Sequence, residues 1–194
     1  MPKKPTTTKE ALIEGGFRLV REQGHEALTA RSLAAYLGCS TQPVMYHFAM
    51  MKDLKRAVYS YADRFHTDYL MHSSGECDPL LEIGLNYIRF AIKEPHLFRF
   101  LFQSGYAKEH DLLEMIDSEE LTPVLSAMQE DIGLDMEKTR EVFLTVALFA
   151  HGYASIISNN ALEFAEHLVA VHLERAFNGA VLAVSQEDDH EKAL

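Results

Sequence analysis

The sequence predicts an all-α protein of about nine helices, with a three-helix head carrying a helix-turn-helix and a larger helical domain behind it. Three observations carry this reading. Apolar residues recur at three- and four-residue spacing through the 194-residue chain, no stretch shows clear strand-like alternation, and no 20–50-residue repeat is present. Glycine, proline and Asn-Asn punctuation falls between the periodic runs. Charge is also unevenly divided. Residues 1–60 hold nine Lys/Arg against five carboxylates, a net +4, while the whole chain carries −11 and the remainder therefore −15. A basic head on an acidic body is the distribution expected when one end approaches a polyanion.

Composition bounds the rest. Apolar residues make up 47% of the chain, too many for a disordered one, and the length supports a substantial core. The most apolar run, VFLTVALFAHGYASII from Val142 to Ile157, is short for a membrane span and is interrupted by His151, so it reads as a buried helix. The opening MPKKPTTTKE has basic residues with no apolar run behind them and does not read as a signal peptide. Cys39 and Cys77 make neither a disulfide framework nor a zinc quartet, which fits a reducing, cytoplasmic compartment.

Taken in order, Thr7-x-x-Glu10 reads as a capping box opening a helix with Leu12, Ile13, Gly16, Phe17 and Val20 on one side, stopped at Gly24. The Gly15-Gly16 pair costs that helix about 1 kcal/mol per glycine relative to alanine, a cost that close helix packing would repay. Thr29 begins a second helix, with Ala30, Leu33, Ala34 and Leu37 facing inward, and Gly38 ends it. Ser40 or Thr41 then caps a short third helix held by Val44 and Phe48, and Pro43 is tolerated because first-turn amides lack helical partners. Two short helices joined by Gly38-Cys39-Ser40 make a helix-turn-helix. A longer helix runs from Met51 to about Met71 and carries the domain boundary, giving a head at 1–56, a second domain at 57–185 and a polar tail at 186–194. Further helices start at Asp78-Pro79, at Pro95 and within Leu112–Gln129, the last with a restart at Pro123. Asp135 caps a helix over 136–158, and the last one spans about Leu162 to Val184.

Residues 9–56 resemble the DNA-binding head of the tetracycline-repressor (TetR) family of bacterial transcription regulators. The resemblance rests on Val20-Arg21-Glu22-Gln23-Gly24, Leu28-Thr29, Arg31, Ala34, Leu37-Gly38, Ser40-Thr41 and His47-Phe48, at fixed spacing. Met45 stands where the family often has a phosphate-touching tyrosine, and Met51 where it has a lysine; Tyr46, Lys52 and Lys55 are the replacements. The remainder fits the family's helical ligand-binding and dimerisation domain in length and helix count. The resemblance implies a homodimer that binds a palindromic double-stranded operator, acts as a repressor and is released by a small-molecule effector, with no cofactor and no membrane partner.

Each expected role has a plainer alternative beside it. Gln42 can pair with adenine, Thr41 can reach a base or a phosphate, and Pro43 offers an apolar surface to a thymine methyl. Tyr46 and His47 reach the DNA backbone or pack between helices. Thr29 and Arg31 form a phosphate clamp, or Thr29 simply caps. Lys52 and Lys55 meet flanking phosphates or water. Tyr61, Phe65, Tyr87, Phe98, Phe102, Met115 and Phe149 line an effector pocket or belong to the core, and His151 is a ligand contact or a hydrogen-bonded core histidine. Leu144, Leu148, Leu168, Val171 and Val184, with small Ala147, Gly152, Gly179 and Ala180, suit a four-helix dimer interface. An enzyme finds little support: no GxSxG elbow, phosphate-binding glycine loop or HExxH pair is present. Among ten histidines, His167 and His172 are five apart and do not align on one helical face as metal ligands would.

Overall fold

The computed structural model describes residues 7–75, 78–106, 121–160 and 162–191. Among the described residues it is all-helical: α1 (Lys9–Gln23), α2 (Ala30–Tyr36), α3 (Gln42–His47), α4 (Met51–Leu70), α5 (Pro79–Lys93), α6 (Pro95–Gln103), α7 (Thr122–Ile132), α8 (Met136–Asn160) and α9 (Glu166–Glu191), with one 3-10 turn at His25–Ala27. The chain divides into two compact units. One comprises Met1–Asp68 with Glu94–Lys108, and the other Tyr69–Lys93 with Glu109–Leu194.

The first unit is built on α1. Its cap is Thr8, one residue beyond the sequence expectation: the Ala11 amide donates to the Thr8 hydroxyl at 3.2 Å. Thr7 is used differently, since its carbonyl accepts a hydrogen bond from His47. Leu12, Phe17, Leu19 and Val20 form the buried stripe. Between them lie the two glycines, and their reason is steric. A Cβ on Gly16 would stand 2.7 Å from Val58 Cγ2 of α4, and one on Gly15 would stand 2.8 Å from Leu37 Cδ2 at the end of α2. Helix α6 packs against α1. Arg21 holds Glu94 through both carboxylate oxygens, with Nε donating at 2.8 Å, and His25 stacks on Phe100.

The second unit centres on α5, α8 and α9, with α7 against α8. Asp78 caps α5 by accepting from the Leu80 and Leu81 amides, and Asp135 caps α8 by accepting from Lys138. Glu82 is buried yet stays ionised. Hydrogen bonds from Ser74, then Ser73, hold its carboxyl down to about 2. Helix α9 begins at Glu166, four residues after the expected start, and runs beyond Val184. Val184 and Ala180 pack internally with Met128 and Val142, so they are core of this unit and not exposed dimer surface. By length and composition alone, α8 and Glu166–Gln186 of α9 are apolar enough to cross a membrane.

Candidate nucleic-acid interface

The helix-turn-helix is assembled by backbone chemistry first. Thr29 caps α2 in a reciprocal box: its hydroxyl accepts from the Ser32 amide at 3.1 Å, and Ser32 Oγ accepts from the Thr29 amide at 3.1 Å. Gly38 takes a positive φ of 65°, a conformation that most side chains resist, and turns the chain while the Cys39 amide donates to Ala34 O at 2.9 Å. Helix α3 follows at once. Its first turn contains Pro43, and the Thr41 backbone caps it without a side-chain cap bond.

Helix α3 is anchored on one side only. Val44 is fully buried and Phe48 5% exposed, and the Lys9 ammonium lies 5.5 Å from the Phe48 ring centroid. At 100° per residue, the opposite side carries Gln42 and Tyr46, flanked by Met45 and Pro43. Gln42 is exposed, Tyr46 is 83% exposed and Met45 54%, while Pro43 is half-buried. The Tyr46 ring meets the His47 ring edge-on at 5.0 Å.

His47 is partly committed. Its Nε2 lies 3.1 Å from the Thr7 carbonyl. A carbonyl only accepts, so Nε2 carries the proton, and the neutral ring then presents an acceptor at Nδ1. Donation from Nδ1 to a phosphate requires the imidazolium. Thr41, Arg31 and Lys52 are exposed around α3. Lys55 turns elsewhere: its ammonium donates to Tyr106 Oη at 3.1 Å and lies 5.4 Å from that ring's centroid.

The residues expected around an effector fall into separate groups. Tyr61 and Phe65 pack on Phe17 at 5.0 and 5.2 Å, and the Arg21 guanidinium lies 5.4 Å from the Phe65 ring. Phe98 and Phe102 pair at 5.1 Å, and Phe102 meets His66 at 5.2 Å. Burial pushes the His66 imidazole down to about 4, so it is neutral at physiological pH. In the second unit Tyr87 Oη and His151 Nδ1 are 2.8 Å apart, and Ser155 Oγ lies 3.3 Å from His151 Nε2. Burial pushes the Tyr87 phenol up and the His151 imidazole down, which leaves a neutral hydrogen-bonded chain of three groups. Phe149 is exposed and packs on Tyr153 at 5.7 Å. Met115 lies outside the described residues.

Asn86 serves the fold. Its amide donates to Leu70 O and His72 O, and its carbonyl oxygen accepts from Arg89, which also grips Glu166. A cavity of about 240 Å³ opens between α8 and α9, lined by Tyr153, Ile157, Leu162 and Val169 among others. Sequence reasoning did not single out this cavity, Met50 (59% exposed) or His66. Met50 lies between α3 and α4, and only its exposure marks it. His66 lies among helical-spaced aromatics, where periodicity alone gives no functional signal. No group of three or more potential metal ligands occurs among the described residues.

Comparison with known proteins bears on the family and the fold. Residues 80–181 match the family model described as the tetracyclin repressor-like C-terminal domain. A sequence search of curated proteins finds no match. Among solved structures, the chain is similar to a glutamine-to-alanine variant of TetR from Acinetobacter baumannii AYE in complex with minocycline. That likeness has 14% identity and a TM-score of 0.58, covering 92% of this chain and 97% of the other. It is also similar to the multidrug binding protein EbrR complexed with imidazole, at 18% identity and a TM-score of 0.54, covering 90% and 94%. At these identities the likeness establishes the fold.

Proposed function

This chain belongs to the tetracycline-repressor family, and from that premise we propose that it is a cytoplasmic, ligand-responsive transcription repressor, binding a palindromic operator as a homodimer. The observation that carries the reading is the one-sided anchoring of α3: Val44 and Phe48 are buried while Gln42, Met45 and Tyr46 are exposed, in the basic part of an acidic chain. A short helix presented in this way is shaped to enter a major groove. Gln42, Thr41, Pro43 and Tyr46 supply the groove face. Thr29, Arg31, Lys52, Lys55 and His47 supply phosphate contacts, Lys55 only after releasing Tyr106.

A second copy is expected on α8 and α9. Leu148, Phe149, Ile156, Leu168, Val171 and Leu182 are all at least 36% exposed there, a concentration of apolar surface that soluble proteins cover. An effector that binds better to a DNA-incompetent state would shift α4 and change the spacing of the two heads. Within the first unit Tyr61, Phe65, Phe98 and Phe102, and within the second Tyr87, Phe149 and His151, remain proposed effector contacts, as does Met115 outside the described residues. The TetR and EbrR relatives, whose structures hold minocycline and imidazole, support a small-molecule effector class for the fold.

The test is operator binding followed by fluorescence anisotropy on a duplex selected from a random library. Gln42→Ala and Tyr46→Ala should each weaken binding by about tenfold, the scale of 1–3 kcal/mol per groove contact, without lowering the melting temperature. Lys52→Ala should weaken all sequences alike and reduce the salt slope by about one. Wild-type affinity in both groove variants would remove α3 from the interface.

A further inference from the structure

The side chains missing from the candidate reading face are as informative as those present. Between Arg31 and Lys52 the chain carries no lysine, arginine, aspartate or glutamate. Bidentate reading of guanine O6 and N7 calls on arginine or lysine, and acceptance from cytosine N4 calls on a carboxylate. Helix α3 and its turn therefore hold neither side-chain type for the two partners of a G·C pair. They do hold Gln42, exposed and suited to adenine N6 and N7, with Ser40 and Thr41 able to serve either pair.

The rest of the exposed side offers an aromatic ring and apolar side chains. Tyr46 is 83% exposed and Met45 54%, and half-buried Pro43 flanks them. These side chains are held outward because Val44 and Phe48 fix the helix rotation from the other side. In a major groove, the apolar feature that distinguishes one base pair from another is the thymine C5-methyl group. The exposed cations Arg31 and Lys52, at the two ends of the uncharged segment, can fix register on phosphates without reading sequence.

We propose that Met45 is a specificity-determining residue, and that α3 reads an A·T-rich half-site core, with Met45 and Tyr46 packed on thymine methyls and Gln42 on adenine. This rests on the DNA-binding reading above and adds the chemistry of the operator. Methionine suits the task, because its flexible thioether can fit itself to a methyl group of either strand. Methionine has no hydroxyl to give a phosphate, so the position is left with an apolar contact to make.

The experiment uses the full chain and has two stages. Selection from random duplex should enrich A·T pairs at the centre of each half-site. Within the selected duplex, thymines are then replaced singly by deoxyuridine, which removes the methyl and leaves pairing intact. At the Met45 position the swap should cost about fourfold in affinity, the scale of one buried methyl group. Met45→Ala should lose a similar factor on the thymine duplex and become insensitive to the same swap. A merely structural Met45 would leave the swap's effect unchanged in the variant. A G·C-centred half-site, or deoxyuridine tolerated at every position, overturns the inference and leaves DNA binding standing. Failure to enrich any duplex overturns both.

Discussion

Single residues show where this fold is intolerant. Gly15 and Gly16 are adjacent and equally helical, but their surroundings differ. A methyl at position 16 meets the branched Val58 side chain, which is itself fully buried, whereas at position 15 it meets the Cγ and both Cδ atoms of Leu37, a longer and only half-buried side chain. Gly15→Ala is therefore expected to be neutral or stabilising by a few tenths of a kcal/mol, since the propensity gain offsets a small shift of Leu37. Gly16→Ala should cost about 1–2 kcal/mol through overpacking, and urea denaturation of the two variants checks the contrast. His66 gives a pH signature. Its folded value of about 4 lies below the ordinary 6.5, so the unfolded chain takes up a proton that the folded chain refuses. Its contribution is complete above about 6.5, declines as pH falls, and is gone below about 4, for a total of order 3 kcal/mol. His66→Phe should flatten that segment of a stability–pH curve; an unchanged slope would exclude His66 as its source. The sequence could place Tyr61 and Phe65 on a buried face, because spacing reports a direction. It could not say that Phe17 lies against both, since that neighbour is chosen by packing between distant segments.

At the scale of elements, helix limits were legible where side chains cap and less so elsewhere. Asp78, Asp135 and Thr29 cap their helices as expected, each through an acceptor visible in the sequence. The first cap lies at Thr8 and not at Thr7, because the Thr8 hydroxyl is the one that accepts from the first-turn Ala11 amide. The start of α9 moved to Glu166, where the Leu168 and Val169 amides bond to Ala165 O, a backbone event with no sequence signature. The association of α6 with α1 was likewise hidden, for Arg21 and Glu94 are 73 residues apart. That pair is unequal, with side chains 46% and 11% exposed. Arg21→Ala leaves a largely buried carboxylate without its guanidinium, so it should cost about 2 kcal/mol. Glu94→Gln, which keeps a hydrogen-bonding group, should cost about half as much. The double variant should be no worse than Arg21→Ala alone. Chemical denaturation of the three variants measures this coupling, and strict additivity would show that the pair contributes nothing beyond its separate residues.

The whole molecule carries a groove-sized helix in one compact unit and an uncovered apolar surface in the other. Neither is sufficient alone, because one six-residue helix cannot select a site and an exposed apolar surface names no partner. Together they suit a two-fold dimer that sets two copies of α3 against one duplex. The charge division and helix-turn-helix spacing of the sequence point only to the DNA-facing half of this proposal. Which residues of α8 and α9 stay exposed emerged only from the packed fold, as the burial of Ala180 and Val184 shows. Hydroxyl-radical footprinting of the selected duplex tests the claim most directly, with Leu148→Glu/Ile156→Glu as the partner-blocking variant. The wild-type chain should protect two symmetric half-sites about one helical turn apart, and the variant, monomeric by light scattering, should lose that protection. A single protected half-site, or an unchanged footprint from the monomeric variant, would contradict the account.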